Sequence, residues 1–111
     1  MTKKRKRTCW VLQGEWELYG EKGNSTELFS SLKKAQIKMT SLVRDDINEY
    51  IDRFDFFEYE DSHGILCYNK IPMEVLKGNF QNDYVKSKWI NMYTNSDTDY
   101  IKYEISKEEI K

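Results

Sequence analysis

Few residues in this chain are equipped for chemistry, and only one pair is a candidate for nucleophilic work. His63, the single histidine, precedes Cys67 by four residues, and an imidazole beside a thiol can hold it as the reactive thiolate. Ser62-His63-Gly64 reads as a turn before a strand, however, and no third residue is marked to orient the ring. A solvent-facing turn histidine and a buried reduced thiol explain the pair more simply. Cys9 lies far from Cys67 and neither belongs to a CxxC pair, so neither a zinc ribbon nor a redox motif is present. There is no glycine-rich phosphate loop and no EF-hand pattern. An enzyme built on His63 and Cys67 is the weakest reading, and no cofactor or metal is expected.

Charge is more informative than chemistry. The net charge of −1 conceals two opposed halves: residues 1–44 hold ten Lys/Arg against four Asp/Glu, and residues 45–111 hold eight against fifteen. The positive side is concentrated in Lys3, Lys4, Arg5, Lys6 and Arg7, which could contact phosphate backbones together with Lys33, Lys34 and Lys38 or serve only as a solubilising terminus. The negative side is concentrated between Asp45 and Asp61. There Asp45, Asp46, Glu49 and Asp52 gather beside the apolar face of a helix, and Glu58, Glu60 and Asp61 could continue the same surface. Ordinary solvated charge explains such a cluster, and so does an acidic docking surface that imitates the phosphates a basic partner binds.

The elements that must position these groups can be read from periodicity. From Thr8 to Tyr19, Trp10, Leu12, Trp16 and Leu18 alternate with Gln13, Glu15 and Glu17, as in a half-buried antiparallel strand. Gly14 interrupts the apolar face, where it provides either a bulge or room for a neighbouring ring. Gly20 to Ser25 reads as a turn, and Thr26 to Phe29 as a short return strand. Ser30 and Ser31 can cap the next element, although Lys33 and Lys34 stand where a capping box would have an acid. Leu32, Ala35, Met39, Leu42, Val43, Ile47, Tyr50, Ile51 and Phe54 then fall on one face of a helix over residues 31–54. A strand over 65–71, a short helix from Pro72 to Gly78 and a hairpin formed by 84–93 and 100–105 complete the chain. In that hairpin Val85, Trp89 and Tyr93 alternate with lysines, which suits core packing better than a stacking platform for single-stranded nucleic acid.

The order ββαβ(α)ββ predicts an α+β fold, a mainly antiparallel sheet with one long amphipathic helix on one face. With 111 residues the expectation is a single domain over 8–111, preceded by a basic tail over 1–7. Three Trp, eight Tyr and five Phe argue for a folded, ring-rich core. No apolar run approaches the ~20 residues that span a bilayer, and the basic terminus lacks a secretory apolar segment. No membrane association and cytoplasmic residence are therefore expected.

The stretch from Trp10 to Glu17, with Leu28-Phe29-Ser30-Ser31-Leu32 through Ala35 and the closing strand Tyr100 to Ile105, resembles a pattern in uncharacterised small proteins encoded by bacterial phages and mobile elements. The residues that carry the likeness are strand faces, a turn and a helix cap, so it supports the fold and implies an origin without supplying an active site. It implies a non-enzymatic accessory protein that binds a host macromolecule, one concrete form being a counter-defence inhibitor. The expected partner is a host protein docked on Asp45, Asp46, Glu49, Asp52, Glu58, Glu60 and Asp61. The alternatives are a nucleic acid held by the basic tail and a second copy of the chain, docked on any sheet face left bare.

Overall fold

The computed structural model describes residues 7–50, 54–61, 64–69, 85–94 and 98–110. The chain forms strands β1 (Arg7–Leu18) and β2 (Glu21–Phe29), helix α1 (Leu32–Tyr50), then strands β3 (Phe56–Asp61), β4 (Gly64–Asn69), β5 (Trp89–Tyr93) and β6 (Tyr100–Ile110). The six strands make one sheet in the order β2-β1-β6-β5-β3-β4, and every neighbouring pair is antiparallel. The helix lies on one face, over β1, β2 and β6. This is the α+β arrangement expected from the sequence.

The β1–β2 hairpin is tighter than its composition suggests. Tyr19 and Gly20 form the whole turn, both with positive φ (54° and 82°), and Glu21 through Ser25 already belong to β2. Positive φ at both central residues matches the right-handed twist of the flanking strands. At Gly14 the register runs on without a bulge, and the space is used by a ring. A Cβ there would lie 3.0 Å from Tyr103 Cε1 and 2.7 Å from Ser25 Oγ. Gly23 does the same for Trp16, whose indole would be 2.4 Å from an added Cβ.

Ser31 caps α1, its Oγ accepting the Lys34 N–H at 3.2 Å. Ala35, Met39, Val43 and Ile47 are buried at the three-and-four spacing the sequence shows. The helix is shorter than the expected 31–54. Residues 51–53 lie outside the described residues, and Phe54 is already non-helical, buried in the core, while Asp55 N–H donates to the Tyr93 carbonyl of the sheet. Beyond it, Phe57 and Tyr59 point inward and alternate with Glu58 and Glu60, a period-two pattern that makes β3, a strand the sequence reading did not expect. The expected strand over 65–71 is described as β4 over Gly64–Asn69, and the expected helix from Pro72 to Gly78 lies outside the described residues.

A second correction concerns β5. Its buried side chains are Ile90 and Met92, whereas Trp89 and Tyr93 are half-buried on the opposite face. Register explains the inversion: Ile90 pairs with Tyr103 and Met92 with Ile101, both inward-facing on β6. Val85, by contrast, is buried ahead of the strand, where the segment 85–87 is tied to α1. Thr40 Oγ1 donates to the Gln36 carbonyl and accepts the Val85 N–H, both at 2.8 Å, and Gln36 Nε2 donates to the Ser87 carbonyl at 3.2 Å.

The core is a single cluster formed by Leu12, the α1 stripe, Phe54, Phe57, Tyr59, Val85, Ile90, Met92, Ile101, Tyr103 and Ile105. Among the described residues its rings are those of Phe54, Phe57, Tyr59 and Tyr103, with Trp10, Trp16, Phe29 and Tyr50 packed against them. The three tryptophans sit half-buried, two at the margin of the helix side and Trp89 on the bare face. Cys9 is buried as a free thiol. No helix among the described residues is long and apolar enough to cross a membrane.

Candidate functional site

Because α1 covers one side of the sheet, the alternate residues of each strand face the other way; Cys9 and Val11 are buried on that side, whereas Gln13, Glu15, Glu17 and their partners on β6, β5 and β3 are exposed or half-buried with no described element packed over them, and form a bare face. The register lays these residues out in rows. Glu17, Tyr100, Tyr93 and Phe56 form one row across β1, β6, β5 and β3; Glu15, Lys102, Asn91 and Glu58 form the next; Gln13, Glu104 and Trp89 form a third, closed by Glu60. With strands about 4.8 Å apart and alternate residues about 6.8 Å apart, the grid measures roughly 14 by 14 Å. It carries five carboxylates against one ammonium, interleaved with four aromatic rings.

Three of the carboxylates on this face, Glu15, Glu58 and Glu60, are held by neighbouring side chains. Tyr100 OH donates to Glu15 Oε1 at 2.7 Å, and Lys102 Nζ stands 3.5 Å from Glu15 Oε2. The Tyr100 hydrogen bond is the main reason that Glu15 is held below the usual carboxylate range, and the same bond raises Tyr100. Asn91 Nδ2 donates to Glu58 Oε1 at 3.1 Å, and Trp89 Nε1 to Glu60 Oε2 at 3.2 Å. Phe56 stacks on Tyr93 with centroids 5.0 Å apart, and the Lys102 ammonium lies 5.5 Å from the Tyr100 centroid. Neighbouring strands thus fix Glu15, Glu58 and Glu60 with a donor from the adjacent side chain. A depression of about 370 Å³ among Gln13, Glu15, Trp89, Asn91, Lys102 and Glu104 marks the middle of the face.

The acids singled out from the sequence are divided between the two sides of the sheet. Glu58 and Glu60 belong to the bare face. Asp45, Asp46 and Glu49 lie near the end of α1, on the helix side, where Asp45 and Glu49 are exposed. Asp46 turns toward the sheet and accepts a hydrogen bond from Tyr103 OH. Its burial, reinforced by Asp45 and Glu49, pushes its carboxyl up to about 6, the Tyr103 bond opposing the rise; burial and the Asp46 charge push Tyr103 well above the usual phenol range. Asp61 closes β3, and Asp52 lies outside the described residues. Glu15 and Glu17 on β1 and Glu104 on β6 belong to the site but were not singled out in the sequence, where they read only as outward residues of strands far apart in the chain. Only their shared parity with Glu58 and Trp89 marks them, and that requires the strand order.

Of the basic run, Arg7 begins β1 opposite Ile110, and Lys3, Lys4, Arg5 and Lys6 lie outside the described residues. At the same end of the sheet, on the helix side, Lys88 and Lys107 place their ammonium groups 5.9 and 5.7 Å from the Trp10 ring centroid. His63 and the side chain of Cys67 lie outside what is described. Among the described residues no three His, Cys, Asp or Glu side chains converge as metal ligands. Comparison with protein-family models, with curated proteins and with solved structures finds no match to this chain.

Proposed function

We propose that this protein is a non-enzymatic binding module that takes up a basic protein partner on the bare face of its sheet. The supporting observation is the grid itself, in which Glu15, Glu17, Glu58, Glu60 and Glu104 surround Trp89, Tyr93, Tyr100 and Phe56. Aromatic rings offer contact area at low entropic cost, while carboxylates already fixed by neighbours lose little further freedom on pairing with lysine or arginine. The same acids repel phosphate, which argues against the rings serving as a base-stacking platform. If the chain belongs to a phage or mobile element, as its sequence resemblance implies, the partner is a host protein whose nucleic-acid site the carboxylates occupy, and the protein acts as its inhibitor.

The test is capture from host lysate by the wild type and by a Glu15→Gln/Glu58→Gln/Glu60→Gln/Glu104→Gln variant, followed by titration of the purified captured protein. The expected partner is basic, is displaced by duplex DNA, and binds the variant at least about tenfold more weakly, a loss of about 1.4 kcal/mol or more. Equal binding of the variant, or a complex that DNA does not displace, would discard the reading.

The opposite end supports a second reading. Trp10 flanked by Lys88 and Lys107, with the basic run entering through Arg7, is suited to a nucleic acid. Salt-sensitive gel shifts that disappear on deleting residues 1–6 are expected if so, and no complex at low salt eliminates it.

A further inference from the structure

The helix side of the sheet holds a second feature, independent of the bare face. Between the C-terminal half of α1 and the β1–β2 and β6 strands runs a groove of about 330 Å³, whose walls include Trp16, Leu18, Leu42, Tyr50 and Ile101. Its polar groups are Asp46, Glu49, Ser25 and the Tyr103 hydroxyl. We propose that this groove binds a primary alkylammonium ion, with Asp46 as its counter-ion and Trp16, Tyr50 and Tyr103 as its aromatic walls.

Charge complementarity specifies the ligand. Asp46 accepts a neutral hydrogen bond from Tyr103, and among the described residues no lysine or arginine forms an ion pair with it. The charges that act on Asp46 are those of Asp45 and Glu49, of its own sign. Buried charges are normally paired, and this partly buried carboxylate has no cation beside it among the described residues. The negative end of the helix dipole adds to the same potential, since the last turn of α1 carries no basic residue to offset it. Burial raises the Asp46 carboxyl to about 6, so a cation seated beside it would gain by restoring the ionised form. Aromatic side chains favour an organic cation over a hydrated metal ion. The volume is at the small end of ligand pockets and accommodates a chain of the length found on lysine.

The experiment follows amide, indole and Asp46 carboxyl resonances of the whole chain while n-butylammonium is added, with n-butanol as the neutral isostere and N-acetyl-lysine methylamide as the protein-derived source. Binding of butylammonium with Kd on the order of 1 mM or tighter is expected, with shifts at the Trp16 indole N–H and a fall in the Asp46 titration midpoint. Butanol should bind at least about tenfold more weakly, and Asp46→Asn should lose about tenfold, while Asp45→Asn changes affinity less than about threefold. Tighter binding of the lysine derivative assigns the site to a partner's side chain, and tighter binding of butylammonium to a free amine; either supports the proposal. Absence of shifts at 50-fold above about 1 mM, equal binding of butanol, or an unmoved Asp46 midpoint overturns it, the last needing no variant. Because the groove and the grid lie on opposite sides of the sheet, loss of one reading leaves the other standing.

Discussion

Asp46 shows how a single residue can be misread by its neighbours. In the sequence it is one acid among several, yet on α1 it is the one turned toward Tyr103, and burial separates its chemistry from that of exposed Asp45. A carboxyl with a folded pKa of about 6, against 3.8 when unperturbed, binds its proton more tightly in the folded state. Its contribution to stability is therefore complete below the unfolded value and is lost as pH rises through about 6. Discounted for partial exposure, the loss is on the order of 2 kcal/mol. Asp46→Asn keeps an acceptor for Tyr103 OH and has no charge to bury, so urea titrations at pH 4.5 and 7.5 should show wild-type stability falling by about that amount relative to the variant. A parallel pH response of the two proteins would contradict the assignment. Gly23 is a second residue whose meaning lies across the sheet: its missing side chain is where Trp16 rests, and Gly23→Ala should cost about 1–3 kcal/mol in thermal or urea unfolding.

At the scale of the element, α1 carries its charges against its own dipole. Lys33 and Lys34 stand in the first turn, which has no acid, and Asp46 and Glu49 stand near the end, where there is no base. Each misplaced charge typically costs about 0.3–1 kcal/mol. Lys34→Glu should reverse one of these and complete a capping box with Ser31, raising stability by about 1 kcal/mol and the melting temperature by several degrees. An unchanged or lowered melting temperature would refute the account. Helix stability does not explain this arrangement, whereas segregation of the two charges to opposite ends of the molecule is what separate basic and acidic surfaces require.

The same helix and strands show what was legible beforehand. Amphipathic spacing marked α1 from Leu32 to Ile47, and strict alternation marked β1, because each rests on one repeating contact. Phe56 to Asp61 was obscured by its acids: the outward Glu58 and Glu60 that make β3 amphipathic also make it look like loop. Trp89 and Tyr93 were assigned to the core because they alternate with lysines, when Ile90 and Met92 hold that place by pairing with Tyr103 and Ile101. The grid of acids and rings was therefore illegible in principle, since it depends on which strands are neighbours.

For the whole molecule, the controlling feature is that β6 lies between β1 and β5 at the middle of the sheet, with Arg7 opposite Ile110. A chain ending at residue 99 loses the strand that supplies Ile101, Tyr103 and Ile105 to the core. It should give no cooperative thermal transition, and a sharp melt from that truncation would show that the two halves of the sheet are separately stable.

During synthesis this geometry imposes a waiting period. The hairpin of β1 and β2 and the strands β3 to β5 are synthesised before the piece that joins them, so neither sheet fragment can bury its inner edge until β6, Tyr100–Ile110, has emerged. Folding of the complete sheet is late by design of its topology, and anything that shields nascent strand edges in the cell has its opportunity in that interval.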